Sequence, residues 1–231
     1  MKLRTRGLRL AGAAFLLAFA AASADAGIVL SDLIVELQPG EQAKDDIEVW
    51  NNSPDRAYVA VEPREIIDPG TSGQTVRKDP DPQKLGLLAT PARMVLDPGQ
   101  RKLIRVALLA PPANRERVFR VTVKPVVGEL ESHDSGLKIL VGYDVLVLVR
   151  PQNSAPSVTA VRLGRELRFT NNGNVSVELV DGRQCDETRT HCQDLPGKRI
   201  YAGATWTEQL NSDLPVEYTV KEPGQVVRRT F

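Results

Sequence analysis

Leu137-Lys-Ile-Leu-Val-Gly-Tyr-Asp-Val-Leu-Val-Leu-Val149 places an apolar or aromatic side chain at every odd position: Leu137, Ile139, Val141, Tyr143, Val145, Val147 and Val149. A period of two is the signature of an extended strand; a helix would repeat near 3.6. At ~3.3 Å per residue the segment would reach roughly 43 Å, against the five or six residues of an ordinary strand. The even positions include Leu140, Leu146 and Leu148. Two readings follow. The segment is a central strand buried on both faces, or it is an edge that a partner must cover, because a long apolar edge invites aggregation.

The same grammar extends outward in both directions. Val, Ile, Leu and Thr dominate short apolar runs bounded by turns, and Pro-Gly recurs at Pro39-Gly40, Pro69-Gly70, Pro98-Gly99 and Pro223-Gly224. Pro presets φ and Gly supplies a positive φ, which suits a type II turn. No amphipathic helix is evident, so the chain reads as all-β, a sandwich or barrel. One pattern occurs twice. Ile47-Glu-Val-Trp-Asn-Asn-Ser-Pro-Asp leads to Ala57-Tyr-Val-Ala-Val, and Leu167-Arg-Phe-Thr-Asn-Asn-Gly-Asn leads to Val175-Ser-Val-Glu-Leu-Val. Asn suits such turns because its side chain bonds nearby backbone. The echo suggests two related β-domains, of about 27–151 and 157–231, joined at Arg150-Pro-Gln-Asn-Ser-Ala-Pro156, where two prolines stiffen a short polar linker. Asp68 to Gln83 and Gly128 to Gly136 read as exposed loops.

Residues 1–26 read as a secretory signal peptide. Lys2, Arg4, Arg6 and Arg9 precede an Ala-rich apolar run from Leu10 to Ala22, and Ala24-Asp25-Ala26 offers a cleavage site. The run is short of the ~20 apolar residues that span a bilayer, so no membrane insertion is expected. Removing this leader takes four of the 30 basic residues and one of the 29 acidic ones, leaving 26 and 28 and a net charge near −2. That balance carries no electrostatic footprint for nucleic acid. Export also places Cys185 and Cys192 where disulfides persist, so a bridge between them is expected. A zinc site is disfavoured: the two histidines, His133 and His191, do not complete a finger's ligand spacing. There is no phosphate loop, no zinc-protease motif and no carboxylate pair to nominate for glycoside chemistry. No catalytic residues, cofactor or metal are expected, and the chain does not read as an enzyme. With only 5% aromatic residues, a polysaccharide-binding module is disfavoured, and Trp50 and Trp206, inside alternating patterns, are expected to pack in the core.

An ordered set of short motifs resembles the PapD-like family of periplasmic pilus chaperones. Thr90-Pro91 is followed by Leu96, Pro98-Gly99-Gln100 and Ile104-Arg105, then Arg115-Glu116 with Phe119, then the long alternating strand ending in Arg150-Pro151. Thr170-Asn-Asn-Gly-Asn, Cys185, Cys192 and Leu195-Pro-Gly-Lys resemble the second domain of the alternative, CS1- and common-pilus-like class. The resemblance implies two immunoglobulin-like β-sandwich domains and a periplasmic chaperone. Its partners would be pilus subunits and an outer-membrane usher. It would work by donor-strand complementation, a form of β-augmentation in which the chaperone lends a strand to a subunit that lacks one. Leu137, Ile139, Val141 and Tyr143 would then contact the subunit, and Val145 to Val149 would complete the chaperone's own core. It further implies an ion pair between Glu116 and Arg150 near the domain junction. Two departures stand out: the positions where the family carries basic residues for the subunit's C-terminal carboxylate align with Leu33 and Leu146, with Arg93 and Arg105 as substitutes lacking positional support. The rival reading is a secreted two-domain adhesin or structural pilus component. It is disfavoured because the long strand lies inside the chain, before a complete second domain, and not at a mature N-terminus.

Overall fold

In the computed structural model, which describes residues 27–40, 42–126 and 140–231, the period-two patterning becomes strands almost throughout. The expected leader, residues 1–26, lies outside the described residues, as do Leu137 and Ile139. The first half of the chain runs β1 (Ile28–Leu30), β2 (Ile34–Leu37), β3 (Lys44–Asn51), β4 (Ala57–Ile67), β5 (Thr75–Arg77), the single-turn α1 (Pro82–Leu85), β6 (Leu87–Thr90), β7 (Arg93–Leu96), β8 (Arg101–Leu108), β9 (Arg117–Val126) and β10 (Tyr143–Val149). The second half runs β11 (Val158–Leu163), β12 (Glu166–Asn171), β13 (Val177–Cys185), β14 (Cys192–Leu195), β15 (Lys198–Ile200), β16 (Thr205–Gln209), β17 (Val216–Glu222) and β18 (Gln225–Thr230).

These strands form two sandwiches of two sheets each. In the first, β1-β3-β8-β6 faces β2-β10-β9-β4-β5, with β7 also paired to β4. In the second, β11-β12-β16 faces β14-β13-β17-β18, with β15 on β13. Each has its own core. Ile47, Val49, Ile104, Val106, Phe119, Val121, Val145 and Val147 are fully buried in the first. Phe169, Val177, Leu179, Val216, Tyr218 and Val220 fill the second, where Trp206 stacks on Phe169 at 5.3 Å. All four Pro-Gly glycines hold the left-handed conformation, with φ of 86°, 74°, 72° and 74° at Gly40, Gly70, Gly99 and Gly224.

Three details differ from the sequence reading. Among the described residues the long strand begins only at Tyr143: its antiparallel ladder with β9 runs from Tyr143↔Val123 to Val149↔Arg117. Gly142 precedes it, and a strand-interior glycine weakens pairing for want of a side chain to pack. The stretch from Asp68 to Gln83 is not loop throughout; it contains β5 and the start of α1, where Asp81 caps the helix by accepting from the Gln83 amide. Trp50 is not a core residue. The alternation that buries Ile47, Val49 and Asn51 turns Trp50 outward, half-buried under the Arg101 guanidinium at 4.8 Å.

The repeated Asn-Asn motif is one corner built twice. Asn51 and Asn171 are both fully buried. Asn51 Nδ2 donates to Asp55 O (2.7 Å) and Leu96 O (3.0 Å), and its Oδ1 accepts from Ser53 N (3.1 Å). Asn171 Nδ2 donates to Val175 O (2.8 Å) and Ile200 O (2.8 Å), and its Oδ1 accepts from Gly173 N (2.9 Å). The glycines opposite match too: Gly99 N donates to Asn51 O and Gly203 N to Asn171 O. Removing this side chain strands two buried carbonyls and an amide. Asn171→Ala is therefore expected to lose about 2–3 kcal/mol of second-domain stability by denaturant unfolding. A loss below about 0.5 kcal/mol would show that water replaces the corner.

Candidate functional site

β10 is two strands in one. From Leu146 onward β2 pairs it in parallel (Leu146↔Ile34 to Val149↔Leu37) while β9 pairs it on the other side. Val145, Val147 and Val149 point into the first core. Leu146 and Leu148 point out of that sheet but are also buried, because with Val118 they meet Tyr201 of the second sandwich. This half is thus covered on both faces and both edges. Upstream the situation reverses. β2 has ended, so Tyr143 to Val145 pair with β9 alone. Leu146 N bonds Leu33 O on the β2 side, and alternation aims the Asp144 backbone at the same, now vacant, side. Just before it Val141 is 56% exposed and Leu140 39%. Tyr143 is half-buried, its hydroxyl donating to Ile28 O at 2.9 Å, which fastens the strand's start to β1.

Charge surrounds this free edge on the sheet's outer face. Arg64 grips both Asp144 carboxylate oxygens at 2.8 Å, and Arg120 donates to the Asp144 carbonyl at 3.2 Å. Leu33 is exposed and Leu146 buried, so neither position aligned with the family's basic residues carries a cation. Arg105 is held by Asp46 on the opposite sheet and Arg93 lies exposed on β7. The cations near the strand are Arg64 and Arg120. Arg120 also borders a cleft of about 330 Å³ between the sandwiches, lined by Gly70, Lys198, Arg199, Tyr201 and Trp206.

The structure brings Glu116 and Arg150 together at the junction. Arg150 Nη1 donates to Glu116, and Arg150 also clasps Glu36 through Nη2 (2.6 Å) and Nε (3.2 Å). The Glu116 side chain is 1% exposed and that of Arg150 8%. Ser176, from the second sandwich, donates its amide (3.1 Å) and hydroxyl (3.2 Å) to the Glu116 carboxylate. Burial pushes the Glu116 carboxyl above the usual carboxylate range, against the opposing pull of Arg150 and Ser176. Glu36 and Ser176 were not legible in the sequence: neither sits in a motif, and both are brought in by tertiary packing.

Cys185 and Cys192 are disulfide-bonded across neighbouring strands β13 and β14. In the loop they close, Asp186 carries a desolvation penalty that is outweighed by bonds from His191, Thr188 and the Thr190 and His191 amides, and its pKa falls to about 2. Closing a short loop is worth about 2–3 kcal/mol in the chain-entropy model. Cys185→Ser with Cys192→Ser should lower second-domain stability by that amount and leave the first sandwich's transition in place. Labelling of the unreduced, denatured protein should find no free thiol; two labelled cysteines would contradict the bridge. Among the described residues no group of three His, Cys, Asp or Glu side chains is placed to hold a metal ion, and no helix is long and apolar enough to cross a membrane.

Residues 27–155 match the family described as pili and flagellar-assembly chaperone, PapD N-terminal domain. Two Escherichia coli fimbrial proteins are similar over most of their length. The CS1 fimbrial protein is 26% identical over 171 residues, 69% of this chain and 71% of its own. The CFA/I fimbrial protein is 26% identical over 177 residues, 72% and 74% of the two. Among solved structures the class 5 fimbriae chaperone CfaA superposes with a TM-score of 0.64 at 23% identity, covering 88% of this chain and 98% of its own. A chain of the Salmonella enterica SafA pilin–SafB chaperone complex does so with a TM-score of 0.64 at 16% identity, covering 88% and 95%.

Proposed function

Because the chain belongs to the PapD family of pilus-assembly chaperones, a non-enzymatic class, we propose that it binds pilus subunits in the periplasm by donor-strand complementation and hands them to an outer-membrane usher. The observation that carries this reading is the split character of β10. Its C-terminal half is built into the first sandwich, while its start has a neighbour on one side only and leads back to exposed Leu140 and Val141. A subunit lacking a strand would pair with that open edge. Leu137, Ile139 and Val141, continuing the alternation of β10, would fill its groove, each burial contributing about 1.5–3 kcal/mol. Tyr143, tied to Ile28, would mark where the donor segment leaves the chaperone's body. Backbone pairing explains how one chaperone could serve several subunits, since ladder bonds are blind to sequence.

In this reading residues 1–26 are the export leader, 27–151 the donor-carrying domain and 157–231 the second domain. The Glu116–Arg150 pair, extended by Glu36 and Ser176, holds the two together. The adhesin alternative loses its ground, since a chaperone family accounts for the first sandwich and the internal strand alike. The test is co-purification of the tagged chain from periplasm with mass spectrometry of what stays bound. The reading expects fimbrial subunits of incomplete β-sandwich fold. A chain recovered alone from cells that are expressing their pili would overturn it.

A further inference from the structure

The duplicated corner differs at two positions, and both differences face the other sandwich. In the first copy Asn51 is followed by Asn52, Ser53 and Pro54; in the second Asn171 is followed by Asn172, Gly173 and Asn174. Ser53 turns its hydroxyl inward to Asn51 Oδ1 (2.8 Å) and Asp55 O (2.9 Å), and Pro54 is exposed. The corner itself therefore needs neither a glycine nor an amide at these places.

In the second copy the 151–157 linker runs across the corner. A Cβ on Gly173 would lie 2.4 Å from Ala155 O and 2.6 Å from Ser157 N, so only glycine lets the linker pass. The amides of Asn172 (2.8 Å) and Gly173 (3.2 Å) both donate to Ser157 O. Asn174 then uses every polar atom it has. Its amide donates to Ala155 O (3.2 Å) and its carbonyl accepts from Glu116 N (2.8 Å). Its Oδ1 accepts from Ala155 N (2.7 Å), and its Nδ2 donates to Asn153 O and Asn114 O, both at 2.9 Å. Three of these five contacts are to the linker and two to the 114–116 segment of the first sandwich. Asn174 is only half-buried, so water could serve the same groups; their convergence on two other segments is a matter of placement rather than of forced burial.

We propose that Gly173 and Asn174 form a linker clamp, a pair of positioning residues that fix the angle between the two sandwiches. The clamp holds Glu116 by its backbone, next to the place where Ser176 holds it by its carboxylate, so it also sets the junction in which the Arg150 network sits. The second sandwich's position beside β10 is thus fixed by a hydrogen-bonded device separate from the ion pair. The proposal concerns the free protein and stands whether or not pilus subunits bind as proposed above.

The test uses residual dipolar couplings of backbone amides in the whole folded protein, fitted separately for residues 28–149 and 158–230. The unchanged protein should give one common alignment tensor. Asn174→Ala should leave the amide shifts within each sandwich in place, split the tensor into two, and speed exchange of the Ala155 amide about tenfold or more. Asn174→Asp keeps an acceptor for Ala155 but loses both donations, and should split the tensor as well. Pro54→Ala, at the equivalent place in the first corner, should change nothing. A common tensor with unchanged Ala155 protection in both Asn174 variants would overturn the clamp. So would collapse of the second sandwich's own fold in both, because the Asn171 corner should stand without Asn174.

Discussion

Replacing Ile139 and Val141 together by Asp is expected to abolish capture of pilus subunits while leaving the thermal stability of the chain itself nearly unchanged. Two apolar contacts worth about 1.5–3 kcal/mol each would be lost, so affinity should fall by at least two to four decades. The true fall should be larger, since two unpaired carboxylates would enter an apolar groove. The chain should tolerate the change because Val141 is already exposed and precedes the first residue of β10. Val147→Asp, six residues on, makes the contrast. Val147 is fully buried between β2 and β9, and a carboxylate there should remove more than about 4–5 kcal/mol, most of a domain's stability. Capture assays paired with thermal melts separate the cases. A double Asp variant that unfolds, or one whose capture is undiminished, would make the segment merely structural.

Arg150→Met is expected to lose about 3–5 kcal/mol, because it leaves the Glu116 carboxylate buried without its cation. The effect has a pH signature. Burial already raises the Glu116 pKa, so this group's contribution is fully present below the ordinary carboxyl range and is lost as pH rises through the raised value. Without Arg150, the main opposing influence, that value should climb further. The deficit of the variant should therefore be largest near neutral pH and shrink on acidification. Adding Glu116→Gln removes the orphaned charge and should restore part of the loss, giving a clear coupling energy in a double-mutant cycle. Simple additivity, or a deficit independent of pH, would remove the pair from the account.

The alternation of Val145, Val147 and Val149 was enough to foresee one core face, and the four Pro-Gly pairs marked turns that the backbone does make. Those are local signals, read over a few residues. The doubled Asn-Asn motif announced a repeat, but not that each first Asn is the buried keystone of a corner. Burial of Leu146 and Leu148 on the opposite face was open in the sequence, because it depends on Tyr201, more than fifty residues away. Trp50 misled for the complementary reason: its neighbours Val49 and Asn51 take the core, and period two then turns it out. Glu36 and Asn174 reach their partners only after both sandwiches have folded, so no spacing could have nominated them.

The donor-strand claim is tested most directly by amide hydrogen exchange across residues 137–145, measured on the free chain and on its complex with a captured pilin. If the segment completes the pilin's sheet, its alternate amides should acquire ladder bonds and slow by at least about tenfold on binding. A stable complex in which these amides exchange as freely as in the chain alone would contradict the account.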